Sequence, residues 1–155
     1  MKPIFSILCF FIVQNVIAQT LIQEKGRLTP KETKVIQFVQ QYHRALKFPK
    51  EVTRHYAVKE GKKTLVKTTF NHPKKGMFYY QNFIYYKVEL SPDNRTINYR
   101  YSSGRAFSSE GQIYLTGPTL ASSKVVRSDF SYGTTAGTTT VWVNNKKVYE
   151  KNDRL

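Results

Sequence analysis

Cysteine is nearly absent. The single residue, Cys9, lies inside an N-terminal apolar run, and none follows it in the 155-residue chain. Beyond that run the sequence therefore offers no disulfide, no thiolate metal site and no cysteine nucleophile. A small domain without such staples must hold itself together by its core. Carboxylates are scarce too, with 10 Asp and Glu against 25 Lys and Arg. None forms the close pair that would suggest a glycosidase dyad. The three histidines, His43, His55 and His72, follow no zinc spacing and no HExxH accompanies them. There is no G-x-S-x-G elbow and no G-x-G-x-x-G. The Gly133-Thr134-Thr135-Ala136-Gly137 stretch lacks the lysine of a phosphate loop. These absences weigh against an enzyme and imply neither metal nor cofactor. No apolar run after residue 18 is long enough to span a bilayer as a helix.

What is present begins with the N-terminus. Met1-Lys2-Pro3 precedes an apolar stretch from Ile4 to Val13. Gln14-Asn15 break it, and Val16-Ile17-Ala18 lead to a polar residue. A charged start, a short hydrophobic middle and a small residue at a junction make a secretory signal peptide, with cleavage expected after Ala18. A lipoprotein role for Cys9 fits less well, because Phe10-Phe11-Ile12-Val13 continue the apolar run past it. The expected destination is the periplasm or the extracellular space. Removal of Lys2 with the leader lowers the formal net charge of +15 by one. Such a surplus draws anionic partners: anionic glycan, lipopolysaccharide, lipid headgroups or an acidic face of another envelope protein. Nucleic acid suits the charge but not the leader.

Residues 19–28 are mixed in character and read as a flexible arm, and 151–155 as a frayed tail; 29–150 form one domain. Thr29, Pro30 and Glu32 make a helix start: an N-cap, a proline at the first position and a capping-box glutamate at the third. Val35, Phe38, Val39, Tyr42, Ala45 and Leu46 then recur on one face, so the spacing predicts a helix over 30–47, stopped by Pro49. The rest reads as strands. Arg54–Glu60 and Thr64–Phe70 flank Gly61-Lys62-Lys63, read as a hairpin turn. Met77–Leu90 reads as one long aromatic strand, and Ile97, Tyr99 and Tyr101 alternate with polar residues. Residues 102–112 look like a loop, followed by a short strand Ile113–Leu115. Further strands are expected over Lys124–Tyr132, Thr139–Val143 and Lys147–Glu150, the last two joined by Asn144-Asn145. One helix and a run of antiparallel strands predict an α+β fold, an amphipathic helix on a curved sheet, an outline shared by cystatin-like and NTF2-like folds. A small β-barrel or sandwich with a helical lid is the alternative.

Lys62-Lys63, Lys74-Lys75 and Lys146-Lys147 each stand beside an expected turn. Lysines there also discourage edge-to-edge aggregation. The chain has 11 Tyr, 10 Phe and one Trp, most of them ordinary strand and core residues. In the long aromatic strand, Tyr79, Phe83 and Tyr85 fall opposite the expected core face. With Tyr99, Arg100, Tyr101, Lys74 and Lys75 they form the candidate binding surface, where aromatic rings and cations meet a partner. The sequence thus suggests a secreted, basic, non-catalytic binding or accessory protein. A small cavity-bearing enzyme of NTF2-like type, using His55, Glu89 or Asp129 beside tyrosine hydroxyls, is the alternative. A cystatin-like inhibitor would need Gln-x-Val-x-Gly, which is missing.

Overall fold

The computed structural model describes residues 19–44, 46, 48–71, 78–80, 83–102, 108–133 and 135–154. For residues 78–80, 83–86, 102 and 108–109 it describes the backbone only. The chain is α+β: one helix on an open antiparallel sheet. The elements are β1 (Thr20–Arg27), α1 (Pro30–Tyr42), β2 (Glu51–Lys59), β3 (Lys62–Phe70), β4 (Phe78–Tyr80), β5 (Phe83–Leu90), β6 (Thr96–Ser102), β7 (Ser108–Leu115), β8 (Val125–Tyr132), β9 (Ala136–Val143) and β10 (Lys146–Arg154). Nine strands follow the order β1-β2-β3-β5-β6-β7-β8-β9-β10, and β4 pairs with β5 beside the end that β3 leaves uncovered. The order is linear, so among the described residues β1 and β10 are free edges and the sheet stays open. Register shifts at His55/Tyr56, Tyr85/Lys87 and Lys147/Tyr149 mark β-bulges, which bend and twist the strands that carry them. No helix among the described residues is long and apolar enough to cross a membrane.

The helix starts as its cap dictates. Thr29 Oγ1 accepts from the Glu32 amide at 3.2 Å, and Glu32 Oε2 accepts from the Thr29 amide at 2.6 Å. It ends at Tyr42, five residues short of the expected limit. His43 leaves helical geometry at φ −135° and ψ 73°, its N–H still reaching the Val39 carbonyl. The turn frees the His43 ring to pack on the sheet, and Leu46 re-enters the core beyond it as non-helical chain. Val35, Ile36 and Val39 are buried against Val52, Phe70, Val88, Leu90, Ile97, Ile113, Leu115 and Val125. Each such aliphatic side chain contributes roughly 1.5–3 kcal/mol by leaving water. Glu32 is buried as well and is neutralised there by Arg54, whose Nη2 lies 2.6 Å from Oε2.

Several boundaries differ from expectation. Residues 20–27, read as an arm, are edge strand β1, in register with β2 from Thr20↔Val58 to Arg27↔Glu51. The tail is likewise ordered, with β10 running to Arg154. An edge strand bonds on one side only and needs no apolar face, so its composition does not betray it. The long aromatic strand is two strands, with Tyr80 opposite Phe83. Ser108–Gln112, read as loop, belongs to β7, and β9 begins at Ala136 inside the Gly/Thr-rich stretch. The Asn144-Asn145 turn is as expected, with φ 45° and 68°, whereas the first hairpin turns at Glu60 and Gly61, φ 51° and 74°, and takes Lys62 and Lys63 into β3; both are left-handed pairs that suit two-residue hairpins.

Candidate functional site

Side chains alternate across a strand, and residues opposite one another in register share a face. One face of this sheet carries α1. The other has no described element over it. Across β5, β6, β7 and β8, the uncovered face bears two cross-strand rows. The first runs Lys87, Arg100, Glu110, Phe130 and the second Glu89, Asn98, Gln112, Ser128. Together they line an open groove of about 390 Å³. Its charges pair laterally. Arg100 Nη2 is 2.7 Å from Glu110 Oε1, and Glu89 Oε1 is 2.5 Å from Lys67 Nζ and 3.6 Å from Lys87 Nζ. Gln112 Nε2 donates to Asn98 Oδ1 at 2.9 Å. These contacts hold planar polar groups side by side on the strands, with Arg100 and Glu110 left wet and Glu89 more deeply set.

Phe130 forms the groove's aromatic wall. It is 37% exposed and stacks on Tyr132 at 5.5 Å between ring centroids, with the planes 27° apart. Gly137 gives it room, since a Cβ there would stand 2.9 Å from Phe130 Cε2. Tyr114, 42% exposed, lies on the same face one row beyond Gln112.

The covered face carries a buried polar chain. The Tyr99 ring lies over Gly111, its register partner, so closely that a Cβ on residue 111 would fall 2.1 Å from Tyr99 Cζ. The Tyr99 hydroxyl donates to Asp129 Oδ1. Arg127 Nε stands 3.0 Å from Asp129 Oδ2, a charge contact in which the N–H is not aligned for a hydrogen bond. The Arg127 guanidinium stacks over Trp142 at 4.7 Å, and its Nη1 lies 3.3 Å from His43 Nδ1. Arginine cannot accept, so His43 Nδ1 takes the acceptor role and its proton sits on Nε2. Burial, and then the Arg127 charge, lower the His43 pKa to about 4. Burial raises the Asp129 carboxyl against the opposing pull of the Tyr99 hydrogen bond and Arg127. Burial and the adjacent Asp129 push the Tyr99 hydroxyl well above its ordinary value.

The residues singled out in the sequence do not form one surface. Tyr99 is 2% exposed and Tyr101 half-buried, both packed in the helix-covered core. Arg100, between them, points the other way into the groove. Tyr79, Phe83 and Tyr85 lie in β4 and β5, but their side chains fall outside the described residues, as do Lys74 and Lys75. The bulge between Tyr85 and Lys87 sets Tyr85 opposite Tyr101, so the odd–even division of that strand does not hold along its length. Of His55, Glu89 and Asp129, only Asp129 meets a tyrosine hydroxyl among the described residues. His55 bonds Thr69 Oγ1 at 2.9 Å and Glu89 is held by lysines. Sequence reasoning missed Phe130, Asn98 and Gln112 as groove residues. Their alternation along β6 to β8 was the available signal. Among the described residues no three His, Cys, Asp or Glu side chains gather as metal ligands. The chain matches no protein-family model, no curated protein and no solved structure.

Proposed function

We propose that the protein is a secreted, basic, non-catalytic binding or accessory protein of the cell envelope or extracellular space, and that its partner is an anionic glycan bound on the uncovered sheet face. The observation that carries this reading is the groove of Lys87, Arg100, Glu110, Asn98, Gln112 and Phe130. An aromatic wall takes the apolar face of a sugar ring, and fixed amide, carboxylate and guanidinium groups bond its hydroxyls in pairs. The net positive charge of the whole chain supplies long-range attraction. Lipopolysaccharide, a lipid headgroup or the acidic face of another envelope protein would exploit the same charge with less use of the groove. Secretion rests on the leader, with cleavage after Ala18.

The test is retention of the purified protein on heparin and lipopolysaccharide columns at low salt, beside a variant carrying Arg100→Ala and Phe130→Ala. Salt-sensitive retention that the double variant weakens supports the reading. Absence of retention overturns the polyanion, and retention indifferent to the variant removes the sheet face as the site.

The second reading is a small enzyme of NTF2-like outline, favoured by the buried Tyr99–Asp129 pair with both groups shifted upward. Shifted pairs of this kind mark proton-transfer sites as well as structural networks. The groove lining reaches Tyr99 and Gly111 but stops short of Asp129, so the binding reading is the stronger.

A further inference from the structure

A second hollow, of about 310 Å³, lies on the opposite side of the molecule between α1, the β5–β6 turn and the β7–β8 loop. Its floor is apolar: Val35 from the helix, Leu115 from the end of β7 and Leu120 from the loop. Its rim is cationic. Lys31 and Lys34 stand one helical turn apart at the mouth, and neither is in an ion pair with any described residue.

Arg95 forms the third cation, and it is held in place. Its Nη1 donates to the Gly117 carbonyl at 2.5 Å and the Leu115 carbonyl at 3.4 Å, and its Nη2 to the Pro118 carbonyl at 3.0 Å. A guanidinium has five N–H donors, so three bonds to carbonyls fix it without consuming it and without cancelling its charge. Asp93, the one carboxylate among the described residues that line the hollow, is occupied by its own turn. It accepts from Ser91 Oγ and from the Arg95 amide, and those bonds hold its pKa below the ordinary value. The loop wall is stiff as well. Ser123 Oγ bridges to the Gly117 and Thr119 carbonyls at 3.2 and 2.6 Å, and the Thr119 and Ser122 hydroxyls lie 2.9 Å apart. Preorganised walls lower the entropic cost of binding.

The sheet-face groove balances its charges and has little apolar floor. This hollow has the reverse character, an apolar floor under a net positive rim. We infer that it binds a small anionic amphiphile, a carboxylate or phosphate joined to a short apolar chain, with the chain on Val35, Leu115 and Leu120 and the anion at Lys31, Lys34 and Arg95. The inference is independent of the glycan reading, which uses the other side of the sheet.

The experiment is amide-resolved NMR titration of the protein with four probes: octanoate, octyl phosphate, inorganic phosphate and 1-octanol. Saturable shifts at Val35, Asn94, Leu115, Leu120 and Ser123 with octanoate or octyl phosphate, much weaker with the other two probes, support the site. The preferred headgroup then separates a fatty-acid ligand from a phosphate-bearing lipid. A Lys31→Gln, Lys34→Gln variant changes only exposed side chains and is expected to bind about tenfold more weakly, the scale of losing charge-assisted hydrogen bonds. Octanol binding as well as octanoate, inorganic phosphate binding as well as octyl phosphate, an unaffected variant, or no saturable shift with either amphiphile would each overturn the inference.

Discussion

The two faces of one sheet solve the same problem in opposite ways. On the covered face, polar groups are few and are joined end to end: His43, Arg127, Asp129 and Tyr99 form a chain in which charge is matched before it is buried. On the uncovered face, charged groups are many and pair side by side, Arg100 with Glu110 in water and Glu89 more deeply set beside Lys67. A buried polar contact that loses one partner costs the full desolvation of the other, whereas an exposed ion pair contributes about 0–1 kcal/mol. The covered face is therefore where stability is concentrated, and the uncovered face is free to be shaped for contact. Even the covered face is larger than its helix. A helix of 13 residues is about 20 Å long, while nine strands in order span roughly 38 Å across the sheet.

The sharpest way to break this contrast is at Gly111, where the covered face tolerates no side chain. Gly111→Ala must displace the Tyr99 ring and, with it, the bond to Asp129. The expected loss is about 3 kcal/mol, overpacking plus a stranded carboxylate, read as a lower urea midpoint. An unchanged midpoint would mean that the ring is not locked.

Acid provides the next largest effect. His43 holds a folded pKa of about 4 against an ordinary 6.5. Between those values the unfolded chain binds the proton and the folded chain does not. The contribution is fully present above about pH 6.5 and is lost as pH falls toward 4, by about 3 kcal/mol at most. Asp129, raised in the fold, works with the opposite sign, since its folded form takes up a proton first as pH falls. Urea unfolding of the protein and a His43→Gln variant from pH 7 to pH 4 separates the two. The variant should lose the acid sensitivity of this window, and parallel profiles would remove His43 as its source.

The smallest stability effect is expected at Phe130. Phe130→Ala takes a partly exposed ring from the uncovered face and should cost at most about 1 kcal/mol, while weakening retention on a glycan column. A large drop in midpoint with binding intact would reverse the roles assigned to the two faces.

Local chemistry was legible in the sequence. The capping box at Thr29 and Glu32, the turn at Asn144-Asn145, and the alternation of Ile97, Tyr99 and Tyr101 each depend on residues close in the chain, and each stands where expected. What was hidden depends on distant partners. Ser108–Gln112 is strand because β6 and β8 supply hydrogen bonds on both sides, and Gly111 is small because Tyr99 lies on it. Edge strand β1 has no apolar periodicity to read. The early end of α1 sets His43 against Arg127, 84 residues away in the chain. Of the groove residues, Arg100 was among those singled out in the sequence, but its neighbours there come from four strands whose rows only the register aligns.

The strand order has a consequence for how the fold is reached. Apart from β4, which pairs with β5 and not with β3, each strand lies beside the one before it in the chain, so pairing can spread from neighbour to neighbour, with α1 carried in the one long connection between β1 and β2. The helix is different. It is made early, but its seat includes Leu115, Val125 and Arg127, which arrive with β7 and β8. Sheet growth is thus expected to run ahead of core closure, with the meeting of His43 and Arg127 as the step that turns a zipped sheet into a finished protein.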